Sequence, residues 1–131
     1  MAIKLNKLTP NIMVEDVNRA LQFYKETLGF ETLATVPEEG QFEWAMLKRD
    51  GVEIMFQSRA SLGGEIPALQ QREIGGALTF YMDIEGIKEL YADLQNKVSI
   101  VQEMHSTFYG AQEFAIQDSN GYILAFAETV S

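Results

Sequence analysis

Apolar and polar positions along this chain follow one scheme twice. In the first pass, "TPNIMVED" (residues 9–16) reads as a strand running into a helix cap at Asp16. Val17, Ala20, Leu21, Tyr24 and Leu28 then recur at helical spacing, and Gly29 ends the helix. "FETLATV" follows as a strand, and "FEWAML" and "VEIMFQ" flank the turn "KRDG" as a hairpin. In the second pass "ALTFYM" is a strand, Asp83 is placed to cap, and Ile84, Ile87, Tyr91 and Leu94 recur at helical spacing. "VSIVQ" is the next strand, and "EFAIQ" and "YILAFA" flank the turn "DSNG".

Both passes have the order β-α-β-β-β. A shift of 67 residues lays Asp16 on Asp83, Val17 on Ile84, Ala20 on Ile87 and Tyr24 on Tyr91. A shift of 70 lays Trp44 on Phe114, Gly51 on Gly121 and Phe56 on Phe126. Agreement in element order, cap and Gly turns marks an internal repeat. The predicted architecture is α+β: one domain over residues 1–131, with module 1 at about 6–58, a connecting loop at 59–75 and module 2 at 76–129. The connection, "SRASLGGEIPALQQREIGG", is long for a simple loop, which points to a lid or a crossover. One helix covers one face of each small sheet. The other face must curl around the partner half, a ligand or a second chain, and two curled sheets side by side make a trough.

"NIMVEDVNRALQFYKETLGFE" resembles the opening of the vicinal oxygen chelate superfamily, also called the glyoxalase/bleomycin-resistance/dioxygenase superfamily. "YGAQEFAIQDSNGYILAFAE" resembles its closing module, and the similarity runs from about Leu8 to Glu128. The resemblance implies tandem βαβββ modules forming a cup-shaped mixed sheet. Its metal-dependent members hold an ion with four ligands, one on the first and one on the last strand of each module. Carried onto this sequence, those positions are Thr9 and Ala77, and Met55 and Ala125. Met55, Ala77 and Ala125 are not ligands for a hard divalent ion, and Thr9 is at best a weak one. A two-residue slip from Met55 presents Glu53, which is a single carboxylate. The expectation is a member of the bleomycin-resistance type with no metal and no cofactor.

Strand alternation assigns the faces. With Met55 and Ala125 facing the trough, so do Glu53, Gln57 and Ile123, while Val52, Ile54, Phe56, Leu124 and Phe126 face the helices. A tight turn at Arg49-Asp50 sets Trp44 opposite Met55 and, by the same reasoning, Phe114 opposite Ala125. Trp44, Met55 and Phe114 are therefore predicted to form an apolar, aromatic wall. One β-bulge reverses that assignment and returns Trp44 and Phe114 to the core. Tyr109, before Gly110, and His105, the one histidine, are further ligand-binding candidates; their bland alternatives are rim packing and an ordinary surface position. Glu53 and Glu113 are the candidate catalytic groups, since a carboxylate buried beside aromatics has its pKa raised and acts as a base.

The composition narrows the partners. The 131 residues are 47 % hydrophobic and carry a net charge of −9, which disfavours nucleic acid. No cysteine is present, so disulfides, thiolate catalysis and thiolate metal sites are excluded. No apolar run reaches the roughly 18 residues of a spanning helix, so no membrane partner and a cytoplasmic location are expected. The reading these features favour is a homodimer that binds a small planar apolar or cationic molecule in an aromatic trough, through stacking and cation–π attraction. The alternatives are a metal-independent lyase or isomerase using Glu53 or Glu113, a glyoxalase- or dioxygenase-type enzyme with a non-standard site, and a regulatory module with a filled trough.

Overall fold

The computed structural model describes residues 2–129. The chain divides into two compact units, one ending at Gln71 and one beginning at Arg72. Each contains a βαβββ module built on a four-stranded mixed sheet, so the fold is α+β.

The first unit runs β1 (Asn11–Val14), α1 (Val17–Leu28), β2 (Glu31–Val36), β3 (Trp44–Arg49) and β4 (Val52–Ser58). Its sheet order is β1-β4-β3-β2, with β1 parallel to β4 and the other pairs antiparallel. Asp16 caps α1 by accepting the Arg19 N–H at 3.2 Å. At the other end Gly29 takes a left-handed φ of 68°, and the N–H groups of Gly29 and Phe30 return to the carbonyls of Lys25 and Tyr24. The Arg49 guanidinium also donates to the Leu28 carbonyl. The apolar stripe Val17, Ala20, Leu21, Tyr24 and Leu28 is buried, as are Ala45, Leu47, Ile54 and Phe56 on β3 and β4. Tyr24 meets Phe56 edge-on at 5.0 Å, which joins the two layers.

The segment expected to be a loop carries a helix, α2 (Arg59–Glu65), and a 3-10 turn at Pro67–Leu69. Ser58 caps α2 by accepting the Ser61 N–H at 3.2 Å. Two glycines inside so short a helix weaken its sequence signal.

The second unit runs β5 (Thr79–Asp83), α3 (Ile87–Leu94), β6 (Ser99–Ser106), β7 (Ala111–Gln117) and β8 (Ile123–Thr129), in sheet order β5-β8-β7-β6. Asp83 is not the helix cap. It continues β5 opposite Ala127, and the Ile84 N–H still bonds to the Ala127 carbonyl at 2.8 Å. The helix starts at Ile87, after Gly86 with φ 86°, and the Glu128 carboxylate accepts the Gly86 and Ile87 N–H groups at 3.0–3.2 Å. A side chain on the last strand thus performs the capping that the first module assigns to Asp16.

Candidate functional site

In the first sheet, the face turned from α1 carries Trp44, Met46, Glu53, Met55 and Gln57, with Asn11 and Met13 from β1. Trp44 lies opposite Gln57, and Met55 lies opposite Met46. The expected pairing of Trp44 with Met55 is therefore corrected by two residues: the turn is Asp50-Gly51, with Asp50 at φ 49°, rather than Arg49-Asp50. An even slip preserves the face, so Trp44 and Met55 do share it. Trp44, Met46 and Met55 are all half-buried. Beneath them Gln57 is buried, its carbonyl accepting from Asn11 at 2.7 Å and its amide donating to Ser61 at 2.9 Å and Glu65 at 3.1 Å.

Glu53 on this face is paired with Lys7 at 2.7 Å. The Lys7 bond, reinforced by the charge of Lys48, holds its carboxyl below the ordinary glutamate value. That environment suits an ion pair and not a general base.

In the second sheet the register differs from the expectation by an odd number. Phe114 lies opposite Phe126, and Ala115 opposite Ala125. The connection between β7 and β8 spans five residues, 118–122, rather than a two-residue Asn-Gly turn. Asp118 holds it: its carboxylate accepts the Asn120 and Tyr122 N–H groups, both at 2.9 Å, and its own N–H donates to the Tyr122 carbonyl. An odd loop flips the alternation. Phe114 therefore faces the helix, fully buried between Tyr91 (4.9 Å) and Phe126 (5.2 Å). It is a core residue, and the predicted Trp44–Met55–Phe114 wall does not form.

The same flip turns Glu113 to the opposite face, with Ala115, Ala125 and Ala127. Tyr81, directly opposite Ala125 on β5, donates its hydroxyl to Glu113 Oε2 at 2.5 Å. Tyr109, in the turn before β7, donates to the same oxygen. His105 sits opposite Glu113 on β6, its Nδ1 2.8 Å from the Glu103 carbonyl. Three of the sequence candidates, Glu113, Tyr109 and His105, are thus brought together, with Tyr81 as a member that the sequence reading missed. Its signal was the strand alternation that put Tyr81 beside Ala125.

Glu113 was expected to have a raised pKa; the shift is the reverse. The hydroxyl of Tyr109, then that of Tyr81, stabilises the carboxylate and lowers its pKa, and His105 adds to this, outweighing the cost of burial. The reciprocal effect raises both phenols, Tyr81 strongly, with the bond to Glu113 as the leading cause in each. At neutral pH the cluster is a carboxylate held by two neutral phenols.

The positions that the family uses for metal ligands do not form a donor set here. β1 begins at Asn11 and β5 at Thr79, so Thr9 and Ala77 both precede their strands. Met55 and Ala125 do lie on the faces turned from α1 and α3, and neither suits a hard divalent ion. No group of three or more His, Cys, Asp or Glu that could hold a metal occurs among the described residues.

Residues 4–126 match the Glyoxalase/Bleomycin resistance protein/Dioxygenase superfamily, and the chain belongs to that family. Among solved structures it is similar to TioX from Micromonospora sp. ML1, at 17 % identity and TM-score 0.79 over 95 % of this chain and 99 % of that one. A superfamily member from Sphaerobacter thermophilus matches at 19 % identity and TM-score 0.76, over 95 % and 98 % of the two chains. The bleomycin-binding protein of bleomycin-producing Streptomyces verticillus, solved with copper(II)-bleomycin, matches at 18 % identity and TM-score 0.63, over 99 % of both. No curated protein matches the chain. At these identities the structural likeness speaks to the fold.

Proposed function

We propose that this protein binds a small planar molecule, apolar or cationic, without a metal, and that it does so as a homodimer. The observation that carries the reading is the face bearing Trp44, Met46 and Met55: an indole and two thioethers, half-buried, on the side of the sheet turned from α1. Indole offers a flat apolar surface for stacking, and thioethers adapt to irregular aromatic shapes. Glu53, the carboxylate two residues from Met55 on that face, is paired with Lys7, so it offers a ligand little free charge beside the flat apolar surface. Family membership supports the reading, because the superfamily includes a bleomycin-binding protein of the same fold. Metal independence is supported by the residues at the family's ligand positions, Thr9, Met55, Ala77 and Ala125.

The catalytic alternatives draw little from the two candidate carboxylates. Glu53 is ion-paired and Glu113 is held low by its phenol partners, so each is a weaker base than a free glutamate. Calorimetry with a planar aromatic such as acridinium tests the proposal. Trp44→Ala is expected to weaken binding about tenfold or more, equivalent to about 1.4 kcal/mol. Undiminished affinity in that variant removes the Trp44 face from the site.

A further inference from the structure

We propose that Glu113, Tyr81 and Tyr109 form an amine-binding site in the second module, one that takes the ammonium group of a ligand on Glu113 Oε1 and its apolar body along Ala125 and the exposed aromatic rings. The geometry divides the two carboxylate oxygens. Oε2 accepts both phenol hydroxyls, whereas Oε1 accepts no hydrogen bond from any described residue. No buried side-chain oxygen among the described residues lacks a partner, so Oε1, which accepts no bond, keeps some contact with solvent. Glu113 itself is only 9 % exposed. A largely buried carboxylate with one saturated and one open oxygen is a fixed, directional negative charge.

The phenols decide what that charge does. They keep Glu113 ionised, which rules against proton abstraction and favours recognition of a cation. With Oε2 occupied, the two parallel bonds of a guanidinium or amidinium fork are not available. A single N–H donor from an alkylammonium satisfies Oε1 without disturbing the phenols. The surroundings suit such a ligand. Tyr81 and Tyr109 are 57 % and 55 % exposed, leaving ring surface for a cation–π contact. Phe108, fully exposed, meets the Tyr109 ring edge-on at 5.1 Å and extends the aromatic surface. On the same face as Glu113, Ala125 is half-buried and presents only a methyl group, while Ala115 and Ala127 beside it are buried.

This site extends the small-molecule reading above but stands on different residues, and its test is separate from any change at Trp44. The probes are benzylamine, protonated at neutral pH, and its uncharged analogue benzyl alcohol, followed by NMR of the Ala125 methyl group and the Tyr81 and Tyr109 rings. Benzylamine is expected to shift these resonances saturably and to bind roughly tenfold or more tightly than benzyl alcohol, the margin coming from a charge-assisted bond. Glu113→Gln, which keeps the shape and removes the charge, is expected to erase that preference. Equal binding of amine and alcohol by the unaltered protein overturns the proposal, and so does the absence of benzylamine binding at millimolar concentration. A Glu113→Gln variant that still prefers the amine overturns it as well. Should that variant fold poorly, the amine-against-alcohol comparison on the unaltered protein decides alone.

Discussion

Glu113 and Phe114 are adjacent in β7, and their opposite orientations separate a residue of the proposed amine site from a core residue. Phe114 is enclosed by Tyr91 and Phe126, so Phe114→Ala is expected to cost about 3–5 kcal/mol of stability in urea unfolding, as large aromatic truncations in cores do. A Phe114→Ala protein of unchanged stability that lost only ligand binding would restore the sequence-based reading of a site wall. Glu113 makes the opposite kind of contribution. Its folded-state pKa is depressed, so the stability from its phenol bonds is present above the ordinary glutamate range and is lost as pH falls through the lowered folded value. The stability gap between the unaltered protein and a Tyr81→Phe/Tyr109→Phe double variant should therefore be open at neutral pH and close in acid. A gap that persists unchanged into acid would mean that the phenols act by packing alone.

Between the residues and the fold stand the turns and caps, and the repeat was legible to the extent that these obeyed local rules. In the first module they did. Asp16 caps α1, Gly29 ends it, and a two-residue turn leaves Trp44 and Met55 on one face. Asp16→Ala should cost about 1 kcal/mol by thermal or chemical denaturation, since it removes a cap acceptor. In the second module two long-range or side-chain-dependent features intervened. The Asn-Gly pair suggested a tight hairpin, but Asp118 organises a five-residue turn and reverses the alternation. The N-terminus of α3 is capped from β8 by Glu128, a partner some forty residues away that no local pattern announces. Asp118→Ala leaves the Asn120 and Tyr122 N–H groups without their acceptor, so a loss of roughly 1–3 kcal/mol is expected. A neutral result would show that the turn, and with it the facing of Glu113, is set by the strands instead.

For the whole chain, the tandem repeat and the family were readable because they are written in periodicity and turn residues spread over both halves. Of the candidate residues, alternation placed Trp44 and Met55 on one face, while Phe114 was assigned to the wrong face by one residue of parity and Tyr81, beside Glu113, was not singled out. The proposed homodimer is tested by light scattering at micromolar concentration, where twice the monomer mass is expected and a monomer mass would contradict it. The central claim, metal-independent binding of a planar molecule at the Trp44 face, has a direct optical readout because Trp44 is the one tryptophan of the chain. The measurement is a fluorescence titration with planar apolar and cationic aromatics in the presence of a chelator. Saturable quenching of Trp44 by at least one such compound is expected with chelator present. Emission that stays unchanged across the series, or quenching that appears only when a divalent metal is supplied, would contradict it.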